Sequence, residues 1–222
     1  MTPTGPDEAA VRAMLLERDR AAHSTTQDTA LLVAELPLAG SRADHAVITA
    51  DGVHLTEIKT VRDTTTRLAR QALVYAAVAD TCEAAVAAPH LDAVVGLLPD
   101  WWAITVITDH GLEPWRDGLW NPTAEPLATA ALLWRTELRA AVLEAGQTGG
   151  TAGLDRDGLA SVLSAALAED PAALREVVRR RLLDRHWVDL ADAVGAVRTV
   201  RPTTPSWKAK KRGRRRARNH PP

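Results

Sequence analysis

Residues 44–59 read Asp-His-Ala-Val-Ile-Thr-Ala-Asp-Gly-Val-His-Leu-Thr-Glu-Ile-Lys. Two strand-like runs, 44–50 and 53–59, flank Asp51-Gly52, and a two-residue Asp-Gly link between alternating apolar residues is a strong hairpin signal. If those two residues form the turn, Ala50 faces Val53, Ala46 faces Glu57 and Asp44 faces Lys59. Side chains alternate along a strand, so Asp44, Glu57 and Lys59 share one face. Cross-strand neighbours lie about 5 Å apart at Cβ and diagonal neighbours about 7 Å. Two carboxylates at that separation can lean toward one cation. Mg²⁺ takes oxygen ligands, often one or two carboxylates with water and phosphate making up the rest. The same pattern also describes a solvated strand face with a weak ion pair.

Working outward, residues 7–22 suggest a helix with Val11, Met14 and Leu15 on one side, followed by an apolar stretch ending at Glu35. Asp63 is placed to cap a helix from Thr64 to about Asp80. Arg67, Gln71 and Tyr75 recur at spacing four and form one stripe of that helix. Segments 83–88 and 103–108 read as buried strands, 90–98 as a short helix, and 111–120 as a turn-rich excursion. From Pro126 the pattern is helical: 126–145, 155–168, 171–185 and 187–198. Strands and helices mixed in the first half, then helices alone, predict an α/β fold: a mixed central sheet with flanking helices, plus a C-terminal helical appendage. The expected organisation is a core at 1–122, the appendage at 123–200, and a basic tail at 201–222 that composition predicts to be disordered.

The net charge of −1 conceals an asymmetry. Lys208, Lys210, Lys211, Arg212, Arg214, Arg215, Arg216 and Arg218 are eight cations with no acid among them, leaving 19 basic against 28 acidic residues in 1–207. A basic tail on an acidic body predicts a polyanionic partner. Lys59 is the only lysine before that tail in a chain that otherwise uses arginine. This suggests a place where a compact ammonium is needed and a planar guanidinium would not serve. The single cysteine, Cys82, cannot form an internal disulfide. Together with the lack of a membrane-spanning or signal-like apolar run, it predicts a cytoplasmic protein without a membrane partner. The histidines lack zinc-ligand spacing, and no glycine-rich phosphate loop is present. Cys82, Trp101 and Trp102 read as core residues.

The set Asp44, Glu57-Ile58-Lys59, Gln71 and Tyr75 resembles the nuclease motif of RecB-like and lambda-exonuclease-like members of the PD-(D/E)XK superfamily. With Arg42-Ala43, Asp63, Arg67-Leu68, Pro99-Asp100-Trp101-Trp102 and Leu133-Trp134-Arg135, it is similar to a family of small bacterial and phage PD-(D/E)XK proteins, over about residues 30–145. Ala43 stands where the name-giving proline would be. The resemblance implies a restriction-endonuclease-like core and a nuclease dependent on Mg²⁺ or Mn²⁺, with DNA the expected polymer. It implies Asp44 and Glu57 as metal ligands, Lys59 as their electrostatic partner, and Gln71 and Tyr75 supporting the site. Glu35 would be a further ligand on a helix preceding the Asp44 strand. Arg67 and the eight tail cations would contact nucleic acid. The alternative is a nucleic-acid-binding module on the same fold without turnover.

Overall fold

The computed structural model describes residues 5–24, 29–190 and 197–202. Its frame is an eight-stranded mixed sheet with helices on both faces. The strands are β1 (Ala30–Leu38), β2 (Ser41–Ile48), β3 (Val53–Lys59), β4 (Thr81–Ala87), β5 (Ala103–Thr108), β6 (Gly111–Arg116), β7 (Val188–Asp189) and β8 (Val197–Arg201), in the spatial order β6-β5-β4-β3-β2-β1-β8-β7. The β1–β2, β2–β3, β5–β6 and β7–β8 pairs are antiparallel; β3–β4, β4–β5 and β1–β8 are parallel. The mixed α/β fold and its C-terminal helical region, α4 (Pro126–Ala130), α5 (Arg135–Glu144), α6 (Arg156–Ala166) and α7 (Pro171–Asp184), are as the sequence predicts. Among the described residues no helix is long and apolar enough to cross a membrane.

Alternation divides the core between the two faces of the sheet. Helix α1 (Glu8–His23), capped by the Asp7 carboxylate, buries Val11 and Leu15 against Ile58, Ala85 and Ile107. On the other face, Leu31, Val33, Ala46, Ile48, Leu55, Ala84 and Val86 join α2 (Leu68–Val78), α3 (Leu91–Leu97) and the C-terminal helices in one apolar cluster. Trp102 and Cys82 are buried in it, and Trp101 is nearly so, as expected for core residues.

The hairpin differs from the expectation in an instructive way. Ile48, not Ala50, faces Val53, and the pairing runs to His45–Thr56. The link is four residues, 49–52, because Thr49 closes it: its N–H donates to the Gly52 carbonyl at 2.9 Å, and its hydroxyl accepts from the Asp51 and Gly52 amides at 3.2 Å. Neither Asp51 nor Gly52 adopts the positive φ that a two-residue type I′ turn requires. The register therefore slips by two residues, an even number, so every side chain keeps its expected face.

Four other expectations are corrected. Residues 111–116 form an edge strand, where Pro114 costs no ladder bond on its open side. The helix read over 126–145 breaks between α4 and α5, where the carbonyls of Ala131, Leu132 and Leu133 accept from Arg156 and Arg185 instead of the next helical turn. The helix read over 187–198 is not what its described residues form: β7 and β8 pair with each other and return the chain to the sheet, so the boundary expected at residue 200 falls within a core strand. Helix α2 starts only at Leu68, because Asp63 turns back to accept from the Thr60 amide and hydroxyl, each at 2.8 Å.

Helix α1 is fastened by charge as well as by apolar contact. Glu83 on β4 is 3% exposed and accepts from Arg18 at 2.7 and 2.9 Å, from Thr56 at 3.0 Å and from Thr105 at 2.6 Å. Burial alone would raise its pKa. Hydrogen bonds from His54 and Arg18 outweigh that and hold it well below the usual carboxylate range. Asp19, paired with His45 at 2.7 Å and with Arg18 at 2.8 Å, is lowered by the same opposition. A depressed folded-state pKa contributes stability above the ordinary carboxylate value that is lost as pH falls through the depressed one. Glu83→Ala should cost about 3 kcal/mol at pH 7, because it leaves Arg18 without its main partner. In urea titrations it should also flatten the stability loss below about pH 4; an unchanged acid limb would remove Glu83 from that role.

Candidate active site

At the hairpin's open end β2 and β3 part. Their paired ladder stops at His45–Thr56 although both strands run on, and Asp44 fills the opening: its Oδ2 accepts from the Ile58 N–H at 2.9 Å. With the observed register, Asp44 lies opposite Glu57 and diagonal to Lys59, the reverse of the expected assignment, with all three still on the face toward α2. Glu57 is 1% exposed and Lys59 is 5% exposed.

The buried Glu57 carboxylate collects three donors. Lys59 Nζ and Gln71 Nε2 reach Oε1, the latter at 2.5 Å, and the Tyr75 hydroxyl reaches Oε2. Gln71 and Tyr75 come from successive turns of α2, so the predicted stripe does converge on the predicted hairpin. Tyr75 is also stacked on Trp102, with ring centroids 5.8 Å apart, which fixes the ring beneath the carboxylate. Burial, then the Glu57 charge, pushes the phenol far above its ordinary pKa, so Tyr75 is a donor here and not a base. The Gln71 Oε1 atom is buried without a partner.

Asp44 is set apart electrostatically. Burial and the neighbouring Glu57 charge raise its pKa to about 6, against the opposing pull of the Ile58 amide and of Lys59. A desolvated pair of carboxylates of this kind is an environment in which a cation is favoured. Among the described residues, no group of three or more His, Cys, Asp and Glu side chains is placed to hold a metal ion. The donor set consists of two carboxylates, which suits Mg²⁺ or Mn²⁺ completing its shell with water and substrate better than it suits zinc.

A cleft of about 560 Å³ opens over these groups, lined among others by Asp44, Glu57, Lys59, Asp63, Arg67, Arg70 and Gln71. Glu35 is not among its lining residues. It lies on β1 rather than on a helix, adopts φ 59°, is exposed, and pairs with Arg42 at 3.1 Å. The acid that a helix does bring to the cleft is Glu8, at the start of α1. Its neighbour Arg12 bonds both the Glu8 carboxylate and, at 2.5 Å, the Asp44 carbonyl. Sequence reasoning missed both residues, since nothing local ties a helix start at residue 8 to a strand at residue 44. Arg67, expected to contact nucleic acid, lines the cleft; the tail cations of 208–218 lie outside the described residues.

Residues 2–201 match the family described as Bacteriophage P4 protein cII, and the chain belongs to that family. No curated protein matches it. Among solved structures, a protein of unknown function from Silicibacter pomeroyi is similar at 18% identity. The match covers 66% of this chain and 98% of the other, with a TM-score of 0.42, a likeness too distant to bear on activity.

The raised Asp44 value has a signed consequence. A carboxyl that holds its proton more tightly in the folded state than in the unfolded chain weakens the fold as pH rises from about 4 through 6. Asp44→Asn keeps an acceptor for the Ile58 amide and removes the charge. In metal-free buffer it should stabilise the protein by on the order of 1 kcal/mol at pH 8 and by almost nothing at pH 4. Urea unfolding at the two pH values measures this, and a variant less stable at pH 8 would contradict the assigned repulsion.

Proposed function

We propose that the chain is a nuclease that hydrolyses phosphodiester bonds with Mg²⁺ or Mn²⁺, and that DNA is its polymer. The observation that carries this reading is the convergence of Asp44, Glu57, Lys59, Gln71 and Tyr75 from one hairpin and one helix onto an open cleft. It also accords with the resemblance to PD-(D/E)XK nucleases that these residues carry in the sequence.

The roles follow from the contacts. Asp44 and Glu57 would hold the cation. Bound there, Mg²⁺ or Mn²⁺ would lower the pKa of a coordinated water and stabilise charge on the phosphoryl oxygens. The Lys59 ammonium shares the Glu57 carboxylate and is buried beside it, where a fixed positive charge acts at low dielectric on a developing phosphorane. Gln71 and Tyr75 hold Glu57 in one orientation, and the unpartnered Gln71 oxygen is an acceptor for a water or sugar hydroxyl. Arg12 holds the Asp44 backbone, and Glu8 adds a third acid at the rim. Arg67 and Arg70 offer guanidinium groups to substrate phosphates.

One observation favours a second reading, a nucleic-acid-binding module without turnover: both Glu57 oxygens already have protein donors. The two readings separate in one assay. Purified protein is incubated with plasmid, linear duplex, single-stranded DNA and RNA, in Mg²⁺, Mn²⁺ or EDTA. Cleavage should require the metal and should fall by about 100-fold or more in Asp44→Asn, Glu57→Gln and Lys59→Ala. Lys59→Arg should also be impaired, since the larger planar head does not fit a compact buried ammonium site. Binding to any of these substrates without metal-dependent cleavage would leave the second reading standing alone; cleavage that survives Lys59→Ala would belong to another site or a contaminant.

A further inference from the structure

The segment that follows β6 carries a surface with no part in the candidate site. Of the eight large apolar side chains that are exposed among the described residues, three fall in one six-residue stretch: Trp115 at 48%, Leu119 at 64% and Trp120 at 53%. The chain between the first and the last spans at most about 18 Å, so all three fit within one interface. Single exposed leucines are ordinary on a folded surface, but large apolar groups gathered in this way mark an interaction face.

The stretch is firmly anchored. The Leu119 N–H donates to the Trp101 carbonyl at 2.8 Å, and Arg116 Nε donates to the Trp102 carbonyl at 2.8 Å. Gly118 lies so close to β5 that an added Cβ would meet the Ala103 Cβ at 3.1 Å. Asn121, which is buried, pins the far end: its backbone N–H donates to the Asp80 carbonyl at 2.8 Å, and its side-chain amide donates to the Ala76 and Ala79 carbonyls, each at 2.7 Å. The Arg175 guanidinium lies over the Trp120 ring, 5.8 Å from its centroid. A surface ordered in advance spares a partner the entropy cost of ordering it.

The charge around these rings selects the occupant. Trp120 forms part of the wall of a cavity of about 250 Å³ at the hairpin turn, which Asp19, Asp51 and Asp80 also line. Arg18 pairs with Asp19, and Arg175 and Arg179 pair with Asp80. Asp51 is exposed and has no ion pair among the described residues, and the same holds for Asp117, inside the apolar stretch. Arg116, the only Lys or Arg in residues 111–120, is taken up by Asp100 and by two backbone carbonyls. The unmatched charge beside the exposed rings is therefore negative, which repels a polyanion and favours a cationic partner.

We propose that this face docks a basic segment of a partner protein, whose apolar side chains lie on Leu119 and Trp120 and whose lysine or arginine enters the cavity beside Asp51. Buried tryptophans with a charged neighbour are the usual anchors of such contacts. Strand β3 runs from the hairpin turn at this cavity to Lys59 at the cleft, about 20 Å. A partner seated here leaves the cleft open, so docking holds whether or not the cleft cleaves nucleic acid.

The test is a selection of displayed random peptides of about 16 residues against the full chain, at about 0.15 M salt so that screened surface charge alone does not hold them. Selected peptides should be rich in Lys or Arg and in Leu or aromatic residues. In fluorescence anisotropy they should bind the full chain about 10-fold or more tightly than a Leu119→Ser/Trp120→Ser variant. An Asp51→Asn/Asp117→Asn variant should bind them about threefold more weakly than the full chain and with less dependence on salt. Urea unfolding checks that each variant is folded, and Leu119→Ser alone, at the most exposed of the three positions, replaces the double variant if that one is not. Selected peptides without cations, or peptides that bind the serine variant as tightly as the full chain, would overturn the proposal. A labelled single-stranded oligodeoxynucleotide whose binding is lost in the serine variant would also overturn it, because the rings would then be a platform for bases. So would a full chain that sediments as a dimer and a serine variant that sediments as a monomer, which would give the face to a second copy.

Discussion

A carboxylate with almost no exposure must be met by donors, and that requirement organises the centre of this fold. Strand β3 lies next to two such groups on opposite faces of the sheet: its own Glu57 faces α2, and Glu83 of β4 faces α1. Glu83 gathers hydrogen bonds from α1 and from the strands on either side, and Glu57 gathers them from α2 and from Lys59 of its own strand. Removing such donors would leave an unpaired buried charge at a cost of several kcal/mol, so the helices are held in position and orientation by the sheet's polar groups as well as by its apolar ones.

The two anchors serve different ends. Around Glu83 the charges are matched: a bidentate arginine, two hydroxyls and a histidine leave the carboxylate firmly ionised. Around Glu57 the match is incomplete. Lys59 supplies one positive charge for two carboxylates, and burial, with the Glu57 charge added to it, raises Asp44. A centre short of one or more positive charges differs from a structural ion pair, and strained protonation of this kind clusters at functional sites. The two arrangements lie on opposite faces of one strand pair, which makes the contrast internal to this molecule.

The candidate site was legible in the sequence because its signal is short-range. Asp44, Glu57 and Lys59 lie within sixteen residues, and Gln71 and Tyr75 follow on one helical stripe. The turn was misread, since the Thr49 hydroxyl competes with the Asp-Gly signal, yet the error was an even number of residues and the face survived. What failed was long-range. The resemblance implied a helix at Glu35; an apolar run of that length fits either a buried strand or a helix, and only pairing with β2 decides between them. Arg12 and Glu83 have partners 32 and 65 residues away, and no spacing rule reports that. Strand β6 was hidden by Gly111 and Pro114, which read as turn residues but are tolerated at a sheet edge. The segment 187–198 contains apolar residues at helical spacing, and its return to the sheet depends on an empty position beside β1.

That empty position has a consequence for how the chain assembles. Strand β1 is made early, and β8, the strand that covers its outer side, comes more than 160 residues later. Until β8 arrives, the backbone donors and acceptors along that side of β1 have no strand partner in the sheet, and a bare strand edge is a template for association with other chains. Pairing across so long a separation is also slow, because the closure entropy precedes the reward. A ribosome releasing this protein therefore exposes a sticky, half-built sheet while the residues between β1 and β8 are synthesised. At 5–20 residues per second that is roughly 10 seconds or more, a window in which a chaperone or crowding partner decides the yield of folded chain.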